Sequence, residues 1–484
     1  MMDKNKTLLQ YFEWYLPADA GLWKRVAEEA PHLREAGFTG AWLPPAYKGS
    51  GGINDVGYGV YDLYDLGEFD QKGTVPTKYG TREEYQAAVG ALKSQGLNVL
   101  ADIVLNHKMG ADGCEQVNAR ECVAQDRDQE STDQEQITSW TSFTFPGRKG
   151  KYSAFCWNHT HFDGVDWNEQ TKQKGIFLLD GKQWDDDVDQ ENGNYDYLMG
   201  ADLDMDNPEV VAELDRWGEW YLSMTGVDAF RLDAVKHIDD RFFTHWLGNL
   251  RSKSGAELWA VGEYWSPELG ALTHYLDACE NTMNLFDVPL HFNLAKASGS
   301  GGNYDMRNIF AGTLVAARPQ SAVTFVDNHD TQPGQSLQSW IQGWFKPLAY
   351  ALILLRRDGI PCVFYGDYYG IAHDGINPVG EQLDTLLRLR RDIAYGAQTD
   401  YLDDCNVIGW TRAGDEEHAG SGCAVLLSDG SGGQKTMCVG TRFAGMTFTD
   451  LLGNVKGELV IDGNGCAAFT VNGGSVSVWG IMKK

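Results

Sequence analysis

Apolar, strand-like segments alternate with amphipathic helical segments along most of the chain, and this alternation constrains the fold more than any other feature. Helical periodicity, as in 22–36 and 81–95, separates the predicted strands. Strands that alternate with helices form a parallel sheet, and a set of eight suits closure into a barrel. The sequence therefore predicts an α/β fold based on a (β/α)8 barrel, with strands in 7–14, 39–45, 98–107, 226–233, 257–265, 284–290, 322–330 and 362–366.

Two stretches interrupt the alternation. Residues 108–206 are rich in Asp, Asn, Gly and aromatic residues, and they are too long for a loop of a compact domain. They predict an irregular, β-rich domain inserted after the third strand. From about residue 396, short strands separated by "DGSGG", "DGNG" and "NGGS" predict an antiparallel β-sandwich. The predicted domains are a barrel (1–107 and 207–395), an inserted domain (108–206) and a C-terminal sandwich (396–484).

Charge and composition restrict the classes of binding partner and the cellular compartment that we expect. The formal net charge of −28 argues against nucleic acid and anionic membranes, because both are polyanions. No window approaches the roughly 20 apolar residues of a membrane span. The nine cysteines include no Cys-x-x-Cys pair, which disfavours zinc-ribbon and thioredoxin-type sites. The N-terminal "MMDKNKTLLQYFEWY" lacks the apolar core of a signal peptide, so we expect a cytoplasmic protein, and we expect a monomer.

Four predicted strands end in polar side chains. The carboxyl ends of barrel strands gather at one rim, where barrel enzymes carry their chemistry. A single carboxylate at a strand end is usually a helix cap or a loop ligand. Four polar endings at the same rim instead indicate an active site. The residues are Asn106 and His107, Arg231 and Asp233, Glu263, and Asn328, His329 and Asp330.

Asp233 and Glu263 end consecutive strands, and neighbouring strands lie about 4.8 Å apart. Two carboxyl groups about 5–5.5 Å apart define a retaining glycosidase, whereas a wider spacing leaves room for the water of an inverting enzyme. Arg231 precedes Asp233 on the same face and is expected to keep that carboxylate ionised and nucleophilic. Glu263 has no basic neighbour in its own strand, and Tyr264 and Trp265 shield it. A raised pKa would suit Glu263 as general acid and then general base.

Four motifs carry a family resemblance. The segments "DIVLNH" (102–107), "AFRLDAVKH" (229–237), "GEYW" (262–265) and "FVDNHD" (325–330) resemble the four signature regions of the α-amylase family, glycoside hydrolase family 13. The similarity continues through "YFEWY" and "WLPPAYKG" and is nearest to bacterial liquefying-type and intracellular α-amylases. It implies retaining endo-hydrolysis of α-1,4-glucosidic bonds in starch, glycogen or maltodextrins, through a covalent glycosyl-aspartate intermediate.

The resemblance also implies individual roles. Asp233 is the expected nucleophile, Glu263 the acid/base, and Asp330 a third carboxylate that stabilises the transition state. The expected sugar contacts are His107, Arg231 and His329, with Tyr58 stacking beneath the sugar, and Lys236 and His237 on the leaving-group side. Trp14 and Trp265 lie near barrel strand ends and are candidates for stacking on glucose rings, whereas Trp410 and Trp479 fit the core of the sandwich.

The acidic segment around 202–213 superficially matches an EF-hand calcium loop. The sixth position of that loop requires glycine but is Asn207, which instead looks like the cap of a helix beginning at Pro208. The EF-hand interpretation therefore fails. These carboxylates still suit Ca²⁺ in another arrangement, because hard cations take several oxygen ligands from flexible loops.

The family resemblance implies where the metal ions bind. One structural Ca²⁺ is expected at Asn106, Asp196, Asp202 and the backbone carbonyl of His237, and additional Ca²⁺ or Na⁺ positions at Asp163, Asp185, Asp204 and Asp206. A solvated acidic loop remains the alternative for both groups. A further family site is doubtful, because Cys405 and Asn406 replace a histidine and an aspartate beside Tyr304 and Asp429. Zinc at His159 and His161 is disfavoured, because Asp163, an expected calcium position, follows them closely.

Two other function classes stay open. A transglycosylase of the same family shares every catalytic residue and differs in whether water or an acceptor sugar completes the reaction. A non-catalytic carbohydrate-binding relative would lack one carboxylate, and all three are present. The expected partner in each case is an α-glucan or a maltooligosaccharide.

Overall fold

The computed structural model describes residues 5–481, and eight parallel strands in it close into a barrel. Neighbouring strands pair in chain order, and the first strand pairs with the eighth. The predicted fold class is confirmed. The barrel strands are Leu8–Gln10, Gly40–Leu43, Asn98–Ile103, Ala229–Leu232, Trp259–Gly262, Asn284–Phe286, Ala322–Phe325 and Ile360–Phe364.

Two barrel strands differ from their predicted limits. The predicted strand 284–290 ends at Phe286, because the Asp287 side chain accepts the N–H of Leu290 and caps a helix. The eighth strand begins at Ile360, two residues before the predicted segment, because Ile360 pairs with Val323. The remaining six strands lie inside their predicted segments, and the polar residues after them belong to the loops at the rim.

Helices follow the barrel strands and cover them. Asn207 accepts the backbone N–H of Glu209, and Pro208 is the first helical residue, so the predicted cap is confirmed. The helices are Leu22–Ala36, Arg82–Ser94, Pro208–Thr225, Asp240–Ser254, Leu269–Ala278, Val288–Gly299, Leu314–Ala317, Lys346–Leu354, Tyr365–Tyr368 and Glu381–Asp392.

A seven-stranded sheet fills the interruption after the third barrel strand. Its strands are His107–Lys108, Gly113–Val123, Asp126–Glu130, Glu135–Ser142, Phe162–Asn168, Gln173–Leu179 and Ala201–Leu203. The strand Ala201–Leu203 pairs with His107–Lys108, and Asp202 lies opposite His107. This pairing attaches the inserted sheet directly to the rim of the barrel.

The C-terminal region is antiparallel and β-rich, as predicted. Trp479 is buried in its core, as predicted, whereas Trp410 is buried where this region packs on the barrel, and its Nε1 donates to the carbonyl of Leu355 at 3.2 Å. A separate two-stranded ribbon carries the Cys438–Cys466 disulfide, and the other seven cysteines are free. The strands are Gln398–Tyr401, Val407–Arg412, Cys423–Ser428, Thr447–Asp450, Glu458–Val460 and Ser475–Gly480, with Gly432–Cys438 and Cys466–Asn472 in the ribbon. Within residues 5–481, no helix combines the length and apolar character needed to cross a lipid bilayer.

Candidate active site

The guanidinium of Arg231 lies at the centre of a buried group of carboxylates at the barrel rim. Its Nη1 is 2.9 Å from Oδ1 of Asp102 and also donates to Asp233, while its Nη2 is 2.7 Å from Oε2 of Glu263. Burial alone lowers the pKa of Arg231, but the three carboxylates outweigh burial and raise it well above its usual value. Arg231 therefore stays charged and holds the carboxylates in one place.

The strand register places Asp233 and Glu263 side by side. Leu232 pairs with Gly262, and the N–H of Glu263 donates to the carbonyl of Leu232 at 2.9 Å. Ala234 then adopts a left-handed conformation with φ of 49°, which turns the chain sharply after Asp233. The N–H of Ala234 lies 3.3 Å from Oε2 of Glu263. The two carboxylates therefore contact one guanidinium from adjacent strands, Asp233 at Nη1 and Glu263 at Nη2.

Burial is the main cause of the raised pKa values of Glu263 and Asp330. It raises the pKa of Glu263 to about 7, although Arg231 lowers that pKa and Asp233 raises it. Burial and the nearby Glu263 raise the pKa of Asp330 well above its ordinary value. As predicted, Glu263 has no basic neighbour along its own strand, but Arg231 contacts it from the adjacent strand. The pKa of Glu263 is raised, as expected. It is raised because desolvation outweighs a basic neighbour, whereas the sequence suggested that no basic neighbour was present.

Aromatic rings line the site beside these acids. The ring of Tyr58 stacks on His329 with centroids 5.0 Å apart and on Trp14 with centroids 6.0 Å apart. Tyr58 Oη donates to Oδ2 of Asp102 at 2.8 Å, which fixes the ring against the carboxylate group. Trp14 is half-buried and continues the layer outward. The predicted stacking residues Tyr58 and Trp14 therefore form one layer with His329.

Both predicted histidines of the site are held as neutral side chains. His329 Nδ1 contacts Nε2 of Gln10 at 3.0 Å, and its Nε2 is 3.2 Å from Oδ2 of Asp330. Nε2 of His107 contacts the carbonyl of Tyr58 at 2.8 Å. Burial lowers the pKa of both imidazoles. The buried Nδ1 of His107 has no hydrogen-bond partner within the described chain.

Three predicted sugar contacts lie away from this layer. Lys236 Nζ pairs with Oε2 of Glu191 at 2.8 Å, and Nδ1 of His237 contacts the carbonyl of Tyr195 at 2.6 Å. These contacts join the fourth strand's loop to the inserted region. Trp265 instead packs against a separate aromatic group, with ring centroids 5.9 Å from His291, 5.9 Å from Phe292 and 6.4 Å from Phe325.

Sequence reasoning missed two residues that organise the site. Asp102 is fully buried and accepts from Arg231, Tyr58 and Nε1 of Trp42. Gln10 orients His329. Gln10 is the one polar residue of its strand, and Asp102 is the one buried polar residue of Asn98–Ile103. A polar residue among buried apolar ones is the signal that identifies each.

A second buried acidic group lies where the inserted sheet meets the barrel. Carboxylate oxygens of Asp163, Asp185 and Asp196 lie within 4.8 Å of one another. Oδ1 of Asp202 accepts from Nδ2 of Asn106 at 2.8 Å. Burial, together with the neighbouring carboxylates, raises the pKa of Asp185 to about 9 and that of Asp196 to about 7.

Unpartnered oxygens show that this group fits a cation. Oδ1 of Asn106 and Oδ2 of Asp163, Asp185 and Asp202 are buried, and none accepts a hydrogen bond from residues 5–481. A buried acceptor without a donor costs roughly 1–3 kcal/mol, more when charged. A hard cation such as Ca²⁺ takes such oxygens as ligands.

The other two proposed metal residues border this group, because the charges of Asp204 and Asp206 help to raise the pKa of Asp185. Asp204 forms an ion pair with Lys182, and Asp206 is exposed. The two histidines considered for zinc contact separate carboxylates, His159 on Glu115 and His161 on Glu209. At the further family site considered beside Tyr304 and Asp429, the oxygens already have donors. Oδ1 of Asn406 accepts from the Ser428 hydroxyl and the Gly430 N–H, and Oδ2 of Asp429 accepts from the N–H of Tyr304.

Comparisons with known proteins agree with this geometry. The chain matches the family described as "Alpha amylase, catalytic domain" over residues 7–395 and that described as "Alpha-amylase C-terminal" over 424–480. An α-amylase of Geobacillus stearothermophilus is 56% identical over 477 residues, covering 98% of this chain and 87% of the relative. The cytoplasmic α-amylase of Escherichia coli K12 is 46% identical, covering 98% of this chain and 99% of the relative.

Solved structures show the same fold. The crystal structure of a Geobacillus thermoleovorans α-amylase complexed with acarbose has a TM-score of 0.64 at 18% identity, covering 99% of this chain and 98% of the other. The resemblance carried by the four motifs is confirmed. Because the catalytic-domain match spans most of its length, this chain belongs to the α-amylase family.

Proposed function

We propose that this enzyme hydrolyses internal α-1,4-glucosidic bonds of α-glucans with retention of configuration at the anomeric carbon. The pairing of Asp233 and Glu263 on the two terminal nitrogens of Arg231 carries this proposal. Carboxylates that share one guanidinium across adjacent strands fit the close spacing of retaining glycosidases.

The first step divides the work between these two acids. An oxygen of Asp233 attacks the anomeric carbon as the glycosidic bond breaks, and protonated Glu263 gives its proton to the leaving oxygen. The product is a glycosyl ester of Asp233. A pKa of about 7 keeps a large fraction of Glu263 protonated near neutral pH, as a general acid requires.

The second step releases the sugar. Glu263, now ionised, takes a proton from water while the water oxygen attacks the anomeric carbon and the ester bond to Asp233 breaks. Each transition state carries positive charge on the sugar ring, which we propose Asp330 stabilises. The layer of Tyr58, Trp14 and His329 would stack against the apolar faces of glucose units.

A product time course tests the proposal. Maltoheptaose and soluble starch should give only shorter chains, and NMR should show the newly formed ends as the α-anomer first. Products longer than the maltoheptaose donor would identify a transglycosylase instead. A β-anomeric first product would rule out retention, and a single terminal product from starch would rule out endo cleavage.

We also propose that the enzyme binds structural Ca²⁺ between the barrel and the inserted sheet. Asn106, Asp196, Asp202 and the carbonyl of His237 would hold one ion, and Asp163 and Asp185 extend the acidic group. The bound ion supplies positive charge that neutralises buried carboxylates and satisfies their free oxygens. The unpartnered acceptors described above support this assignment.

Removing the metal should destabilise the protein. With free Ca²⁺ about 1,000-fold above its Kd, binding stabilises the native state by about 4 kcal/mol, and a chelator removes that contribution. We therefore expect calorimetry to show a lower Tm in chelator and recovery when Ca²⁺ is restored.

A matched pair of variants locates the effect. Asp202→Asn should weaken the response of Tm to Ca²⁺, whereas Asp133→Asn, an exposed aspartate of the inserted region outside the acidic clusters, should leave that response unchanged. An identical Tm with and without chelator, after the metal content is shown to be zero, would contradict the site.

The cytoplasm is the compartment that we propose, on the basis of the relative named a cytoplasmic α-amylase. The Cys438–Cys466 disulfide is unusual for a reducing compartment. Fractionation of the native cells, with activity measured in each fraction, decides between the cytoplasm and secretion. Activity confined to the medium would contradict the proposal.

A further inference from the structure

The backbone around Asp330 is held by the side chain before it in the loop. Oδ1 of Asn328 accepts the N–H of Asp330 and the N–H of Thr331, each at 2.9 Å. Two hydrogen bonds to one oxygen fix the turn that directs the Asp330 side chain. The orientation of Asn328 therefore sets the position of Asp330.

Asn328 is held in turn by a buried hydroxyl. The Asn328 N–H donates to Oγ1 of Thr331 at 2.9 Å, and the same hydroxyl donates to Oδ1 of Asp327 at 2.8 Å. Thr331 is fully buried. A hydroxyl has one proton to donate, and Oδ1 of Asp327 is its nearer acceptor, since the carbonyl of Asn328 is 3.3 Å away. The hydroxyl therefore accepts from the Asn328 N–H and donates to Asp327.

Asp327 connects this loop to the helix Lys346–Leu354. Its Oδ2 accepts from Nζ of Lys346 at 3.0 Å and from the N–H of Ile341. Lys346 also pairs with Asp367, whose second oxygen accepts from Oη of Tyr350 at 2.6 Å. Lys346, Asp327 and Asp367 are all at most 3% exposed. Buried charges in a satisfied network resist movement, so this end of the chain of contacts is rigid.

We propose that Thr331 is a positioning residue for the reaction, because its hydroxyl links the turn bearing Asp330 to the rigid Asp327–Lys346 network. The inference rests on the proposed role of Asp330 at the transition state. Without the hydroxyl, Asn328 loses its contact and the Asp330 carboxylate is no longer held beside the sugar. The loss should act at the transition state and spare ground-state binding.

The substitution Thr331→Val tests this link, because valine keeps the shape of threonine and removes only the hydroxyl. We expect kcat on a maltooligosaccharide to fall by about 10- to 100-fold, the order that a displacement of about 1 Å causes. KM should change by no more than about twofold. Thr331→Ser restores the hydroxyl and should recover most of kcat, which a role in methyl packing would not allow.

The chain offers a matched control in the preceding strand. Thr324 is buried, and its Oγ1 has no hydrogen-bond partner among the residues described. Thr324→Val therefore makes the same chemical change without breaking a contact, and it should leave kcat unchanged. All variants are measured well below their own Tm. If Thr331→Val does not fold, Asp327→Asn replaces it, since the amide cannot serve Lys346 and Thr331 together, and the same loss of kcat is expected.

Asp330→Asn separates failure of this inference from failure of the proposed function. Full activity in Asp330→Asn would overturn the proposed role of that carboxylate. An inactive Asp330→Asn beside a Thr331→Val enzyme with normal kcat would overturn the positioning role alone. Failure of Thr331→Ser to recover kcat would also overturn it.

Discussion

Replacing Asp233 by asparagine should abolish nearly all turnover, by on the order of 10⁴- to 10⁶-fold in kcat, the size of effect seen when a covalent nucleophile is removed. The amide keeps the shape of the side chain but is a poor nucleophile, so no glycosyl ester forms. Arg231 would keep Asp102 and Glu263 as partners, and we expect the fold to persist. Initial rates on maltoheptaose, with circular dichroism of the same samples, measure both results.

A neighbouring aspartate provides the control. Asp228 precedes the same strand at the opposite end of the barrel, where it is partly exposed and pairs with Lys93. Asp228→Asn makes the same substitution away from the rim and should retain activity. Turnover above about 1% of wild type in Asp233→Asn, from protein free of deamidated material, would remove Asp233 from the role of nucleophile.

Replacing Glu263 by glutamine should lower kcat on maltooligosaccharides by about 10²- to 10⁴-fold, the usual contribution of a general acid. Substrates whose leaving group needs no proton should escape part of this loss. An aryl maltoside with an acidic phenol should therefore form the glycosyl ester rapidly in Glu263→Gln and then stall, because the second step lacks its base. Mass spectrometry should show the ester on Asp233.

The pH dependence should agree with these roles. Glu263 must be protonated to donate, and its pKa lies at about 7, so kcat/KM should decline as pH rises through about 7. Glu257, exposed two residues before the same strand begins, provides the matched control, and Glu257→Gln should preserve both the rate and the profile. If the residual kcat/KM of Glu263→Gln still declines in the same way above about pH 7, the decline belongs to another ionisable group.

The sequence predicts the barrel well because its strand signals are local. Apolar runs and their polar ends are visible one strand at a time, and the order of strands in a barrel follows from the chain. The wrong limit at 284–290 has a local cause as well: Val288 and Leu290 suit a strand, but Asp287 and Pro289 begin a helix. Apolar composition alone could not separate the two.

Contacts across strands were not predictable in the same way. The sequence places Arg231 two residues before Asp233, but only the closed barrel brings Asp102 and Glu263 to the same guanidinium. The Cys438–Cys466 pair likewise depends on the register of two strands 28 residues apart. Among the metal residues, the family resemblance identifies the acidic segments, but side-chain burial separates Asp163, Asp185 and Asp196 from exposed Asp206.

The short pairing of Ala201–Leu203 with His107–Lys108 gives the inserted sheet a role beyond packing. Asn106 donates its side-chain N–H to Asp202 in the acidic group proposed to bind Ca²⁺, and the next residue, His107, is a proposed sugar contact. A shift of the inserted sheet away from the rim would move both together. Loss of the proposed cation would then displace His107 in the cleft. On heating, the enzyme would therefore lose activity at a lower temperature than that at which the barrel unfolds.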